Sequence, residues 1–224
     1  MRRVLIAIRA ESVNMSRQCR GPRSGFSITE LVVAVCVISI LAGMAVLNTK
    51  GTLQNYKANA ARDQVVTQLR LARELAITKR RNVRVDFIAP NQIQTTVQYR
   101  NGETPGVPIA PLYLNNAEQG TGNGAQFYVF PSLPDTPMGF GNTQAVSLSQ
   151  PSGAGAWTVM FTTSGALVGT SSTTSLDMVG NSNPVNASIF IGIPSIPTSA
   201  RAVTVLGATG RVRSYTWDST KWTE

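Results

Sequence analysis

Two periodicities divide the chain. From Leu31 to Leu47 the run LVVAVCVISILAGMAVL has seventeen residues without a charge, and counted from Phe26 it reaches 22. A helix of that length rises roughly 30 Å, the thickness of a bilayer's hydrocarbon core. From Leu53 to Lys79 there is neither Pro nor Gly, and Val65, Leu69, Ala72 and Ala76 recur at steps of four, three and four. That is one apolar stripe of an amphipathic helix, placed to continue the first and to pack on a sheet. Beyond Arg81 the period becomes two: NVRVDFI and QIQTTVQYR, joined by APN, predict a hairpin. The same alternation predicts strands at 125–130, 157–163, 187–193, 201–207 and 211–217, whereas 101–124 and 131–156, rich in Gly, Pro, Asn and Ser, read as long exposed loops. The expected class is α+β, a long N-terminal helix with a membrane-spanning half and an amphipathic half packed on a C-terminal antiparallel β-sheet domain. Its segments are a basic leader at 1–25, the spanning helix at 26–48, its amphipathic continuation at 49–81 and a β-rich domain at 82–224.

Charge sharpens this division. The chain carries 20 Lys and Arg against 11 Asp and Glu, a net +9, and residues 1–25 alone hold six arginines and one acid. Because the basic flank RQCRGPRSG precedes the apolar run, the positive-inside rule places the N-terminus in the cytoplasm and the rest across the membrane. A cleaved secretory signal fits less well, since the run is long and no A-x-A-like site closes it. Glu30 is the misfit within this segment, a carboxylate that needs a partner or a role. The absence of His removes Ser-His-Asp and Cys-His catalysis and His-bound metals, and two cysteines cannot hold a four-thiolate centre. No phosphate loop, nucleophile elbow or carboxylate pair on rigid elements stands out, so the sequence offers no catalytic, cofactor-binding or metal-binding residues and points away from an enzyme.

The stretch SGFSITELVVAVCVISILAG closely resembles the class III signal of type IV prepilins and type II secretion pseudopilins. The resemblance implies cleavage between Gly25 and Phe26 by a membrane-embedded prepilin peptidase, N-methylation of Phe26, and a filament-core helix from Phe26 through which the chain meets other pilins. It implies that Glu30, fifth in the mature chain, pairs with a neighbouring subunit's terminal amine during assembly. Met15 would begin a shorter basic leader, MSRQCRGPRSG. LRLARELAITKRRNVRVDF (Leu69 to Phe87) narrows the resemblance to the minor branch, the H-type pseudopilin of type II secretion and the FimT-like minor pilins. FTTSGAL (Phe161 to Leu167) is similar to that branch's F-x-x-x-G turn, and RAVTVLGATGRVRSY to its closing hairpin. The implied location is the bacterial inner membrane, single-pass with the C-terminal domain periplasmic, and then a pilus or pseudopilus.

Three functions follow as expectations. The first is a structural subunit that assembles into or primes a type II secretion pseudopilus or type IV pilus. The second is DNA capture through the basic tail: Arg201, Arg211, Arg213 and Lys221 lie within the last 24 residues, with Tyr215, Trp217 and Trp222 interleaved. Strand periodicity puts Arg211, Arg213 and Tyr215 on one face, where guanidiniums would meet phosphates and aromatics would stack or pack nearby. The third is a membrane-anchored periplasmic domain that never assembles.

Overall fold

The fold is that of a computed structural model, which describes residues 27–98, 107–116, 124–149, 157–169 and 183–224, and for 44–52 the backbone alone. It divides into two units, Met1–Leu47 and Asn48–Glu224. The one α-helix among the described residues, α1, runs Ile28–Lys79.

In the first unit the large apolar residues of α1 from Ile28 to Leu41, such as Leu31, Val33, Ile38 and Leu41, are all at least half exposed. Among the described residues no helix is long and apolar enough to cross a membrane. This overturns the expected spanning half, and with it the single-pass inner-membrane topology with a cytoplasmic N-terminus and a periplasmic C-terminal domain. Within that stretch Thr29, Glu30 and Ser39 interrupt the apolar side chains, and polar and charged groups are costly in hydrocarbon.

In the second unit the buried face of α1 is Ala58, Ala61, Val65, Leu69, Ala72 and Ala76, each at most 1% exposed. The steps of three and four keep them on one side of the helix, and four of the six are alanine, so β strands can approach the helix closely. The helix has no terminal glycine or proline. It closes instead with a Schellman arrangement: Arg81 N–H donates to the Ala76 carbonyl at 3.2 Å, Arg80 N–H donates to that of Ile77 at 3.3 Å, and Arg80 takes φ +50°. Lys79 in the last turn complements the carbonyl end of the dipole.

Among the described residues twelve strands follow, in two antiparallel sheets. The first contains β1 (Val83–Ile88), β2 (Gln92–Val97), β3 (Val107–Pro108), β4 (Leu112–Tyr113), β7 (Thr158–Phe161) and β8 (Leu167–Gly169), in the order β3-β2-β1-β7-β8 with β4 also on β2. The second contains β5 (Gln126–Phe127), β6 (Val146–Leu148), β9 (Ala187–Ile193), β10 (Ile196–Leu206), β11 (Arg211–Trp217) and β12 (Trp222–Thr223), in the order β12-β11-β10-β9-β5 with β6 also on β9. The hairpin expected around APN is β1–β2, with Phe87 opposite Ile93, and its Ala89–Pro90 peptide is cis.

Both sheets turn apolar residues to the α1 stripe. Val83, Val85, Val159 and Phe161 from one, and Ile189, Ile191, Val203 and Val205 from the other, join Leu69 and Val65 in one core. Polar ties fix the register: Gln68 Nε2 donates to Thr95 Oγ1 at 2.7 Å, and Asn115 N–H donates to Gln64 Oε1 at 2.8 Å. A second, smaller cluster holds Phe130, Phe190, Tyr215, Trp217 and Trp222, with Leu133 and Met138 packed against it. Asp135 organises the covering turn by accepting from Thr136 and Gly141 N–H groups at 2.6 and 2.7 Å. Leu69 is the largest side chain of the helix stripe. Leu69→Ala should lower unfolding free energy by about 2–5 kcal/mol, the range for a buried leucine truncated in a packed core, measured by urea denaturation.

Candidate functional site

The processing residues Gly25 and Phe26 lie outside the described residues. Glu30 stands exposed in the first turn of α1, where the helix dipole favours a carboxylate. Its N–H and that of Leu31 both donate to the Ser27 carbonyl, at 3.0 and 3.1 Å, and Ser27 and Glu30 have the spacing of a capping box. Cys36 is a free thiol on the exposed surface of the same helix.

The four basic residues of the tail have separate environments. Arg201 is buried on β10: its Nε donates to Asn59 Oδ1 at 2.7 Å, and its terminal nitrogen donates to the carbonyls of Thr198 and Ala200 at 2.9 and 2.8 Å. Burial first, and the positive Arg62 second, make it hold its proton less firmly than a free guanidinium. Arg62 reaches the same sheet, donating to Thr216 Oγ1 at 2.9 Å. Arg201 therefore braces α1 on the sheet and is not available to phosphate. Lys221 is exposed in the β11–β12 turn, away from the other cations of the tail that line a groove. Tyr215, Trp217 and Trp222 are buried in the second cluster, with Trp222 Nε1 donating to the Pro134 carbonyl at 2.9 Å. They pack, as one of the two expected roles had it, and present no face to a base.

Arg211 and Arg213 do come together, and with residues of α1 that lie off its buried stripe. They line an open groove of about 690 Å³ with Arg70, Arg73 and Glu74 of α1 and with Glu224. Arg213 sits 3.7 Å from Glu224, so four guanidiniums share the groove with two carboxylates. Arg73 Nε also donates to the Gly165 carbonyl at 3.3 Å in the β7–β8 turn. Gly165 has φ +81° and Gly210, in the β10–β11 turn, has φ +64°; a Cβ on Gly210 would lie 2.2 Å from the Gly165 carbonyl oxygen and 2.7 Å from Arg73 Nε. Hence Arg73, Gly165 and Gly210, from three sequence stretches more than thirty residues apart, meet at one junction where helix and both sheets touch. The signal that could have found Arg70 and Arg73 was their spacing of three, which puts both on one side of a helix flanking the buried stripe.

Among the described residues no group of three His, Cys, Asp or Glu stands together to hold a metal ion. No family model matches the chain, and no curated protein matches it closely enough to count as a relative. Two solved structures are similar, both of the type IV minor pilin FimU of Pseudomonas aeruginosa strain PAO1. The first, in space group P65, has 13% identity and a TM-score of 0.41 over 74% of this chain and 97% of that one. The second, in space group P21, has 13% identity and a TM-score of 0.42 over 75% and 94%. Likeness at that level carries no argument about function.

The glycine junction makes a paired test. Gly139 has φ +65°, nearly that of Gly210, but open space where its Cβ would be. Gly139→Ala should cost about 1 kcal/mol from backbone conformation alone. Gly210→Ala should cost about 1–3 kcal/mol more, because the new methyl meets backbone and Arg73. Thermal melts of the two variants measure the difference.

Proposed function

We propose that the chain is a minor pilin or pseudopilin, a structural subunit and not an enzyme, that assembles into or primes a type II secretion pseudopilus or type IV pilus. The observation that carries this reading is the junction of Arg73, Gly165 and Gly210. The three sequence stretches on which the resemblance to the minor branch rests, LRLAR, FTTSGAL and GATGR, are remote in the chain and meet in space. Chance likenesses to ordinary hairpins would have no reason to converge. In this reading prepilin peptidase cuts between Gly25 and Phe26, Phe26 is methylated, and Glu30 pairs with the Phe26 amine of a neighbouring subunit. Its exposed place in the first turn leaves the Glu30 carboxylate free to do so.

Mass spectrometry of the chain from cells with active prepilin peptidase should find a methylated Phe26 terminus, and Gly25→Val should retain the leader. Glu30→Val should be cleaved normally yet depleted about tenfold from sheared filaments, the factor that about 1.4 kcal/mol of lost pairing represents. An intact leader, or Glu30→Val at wild-type levels in filaments, contradicts the reading.

DNA capture keeps one supporting observation, the gathering of Arg211 and Arg213 with Arg70 and Arg73. It lacks stacking aromatics, and Lys221 lies off the groove. Binding to a single-stranded oligonucleotide on this reading is weak and sequence-independent, with a log–log salt slope no steeper than about three for four arginines. Arg211→Gln with Arg213→Gln should roughly halve that slope, measured by anisotropy across a salt series.

A further inference from the structure

The second sheet ends on an edge that is only partly covered. β12 pairs with β11 at Thr216 and Trp217 alone, through Thr223 and Trp222. From Arg211 to Tyr215, β11 has β10 on one side and, among the described residues, no strand on the other. Asp218 N–H donates to the Lys221 carbonyl at 2.9 Å, which fixes the alternation of the ladder. Counting back by twos, the N–H and C=O groups of Val212 and Ser214 point to the open side. Both residues are half-buried and neither is covered by a described strand, so this length of backbone is a template for pairing.

The groove lies along that same edge, and its charges are divided between two sides. Arg70 and Arg73 come from the helix, Arg211 and Arg213 from the strand itself. An added strand alternates its side chains between two faces, so acidic residues on either face would meet a pair of guanidiniums. Half-buried Val212 and the Ile77 side chain, 42% exposed, supply apolar surface between them.

We propose that the open edge of β11 accepts an extended, acidic segment of a partner protein as an added strand, its backbone paired with Val212 and Ser214 and its carboxylates held by Arg70, Arg73, Arg211 and Arg213. A nucleic acid uses the guanidiniums but has no need of the directed backbone groups, and Glu74 and Glu224 interrupt a continuous phosphate track. The inference does not depend on the filament role: a cleaved, assembling subunit and a non-assembling one present the same edge.

The test uses the full chain and a fluorescent peptide of alternating Glu and Val, four of each. Controls are the same peptide with alternate backbone nitrogens methylated, a Lys-Val peptide and a single-stranded oligonucleotide. The Glu-Val peptide should bind saturably and slow hydrogen exchange at the Val212 and Ser214 amides at least about tenfold, while the methylated and Lys-Val peptides bind at least about tenfold more weakly. Ser214→Pro removes an N–H that faces the open side, a place where an edge strand tolerates proline, and should abolish peptide binding. Should that variant fail to melt cooperatively, Arg70→Glu with Arg211→Glu, both exposed side chains, should weaken the peptide at least about tenfold. Equal binding by the methylated peptide, or an oligonucleotide that outcompetes the Glu-Val peptide, would make the groove a general anion site and overturn the proposal. So would an absence of peptide binding up to about 1 mM.

Discussion

The second unit depends on one contact, the alanine-rich stripe of α1 against two sheets at once. Neither sheet has another described α-helix to cover its apolar face. Val83, Val85 and Phe161 on one side, and Ile189, Ile191 and Val203 on the other, are buried because Ala61, Val65, Leu69, Ala72 and Ala76 lie among them. Small residues at most helix positions bring the backbone close to the strands, and the two larger ones, Val65 and Leu69, fill the space between the sheets. The polar ties at Gln64, Gln68, Arg62 and Arg201 lie around this contact and hold its register. They are consequences of the packing, since a donor such as buried Arg201 finds its acceptors only when helix and sheet are in place.

The junction of Arg73, Gly165 and Gly210 ties that architecture to the groove beside β11. The two glycines are required by conformation and by space, and the arginine that caps the Gly165 carbonyl also lines the groove beside β11. A structural constraint and a candidate binding surface therefore share one side chain.

Much of the fold was legible because its periods are clean. The stripe from Val65 to Ala76, the β1–β2 hairpin and strands at 187–193 and 211–217 are written in steps of 3.6 or 2. The two-residue strands β3, β4, β5 and β12 are too short to show a period, and β6 and β8 reach three residues each. Their existence is set by pairing partners far away in the chain, which composition does not reveal. The division into two sheets is of the same kind. A count of uncharged residues points to a spanning helix, but crossing a bilayer needs a helix both long and apolar enough, and there is none among the described residues. At the tail, alternation puts Arg211 and Arg213 on one face of a strand, and both line the groove. It could not tell that Arg201 turns inward to Asn59, or that the aromatics are covered by the segment around Phe130 and Pro134.

If the helix stripe welds both sheets into one cooperative body, its opening should cost what the sheets' opening costs. Native-state hydrogen exchange on the intact chain reads this directly. Amides from Val65 to Ala76, from β1 and from β10 should open with free energies within about 1 kcal/mol of one another, all near the global value. Helix amides that exchange several kcal/mol more easily than those of β1 and β10 would mean that the sheets stand without the helix, and would contradict the account.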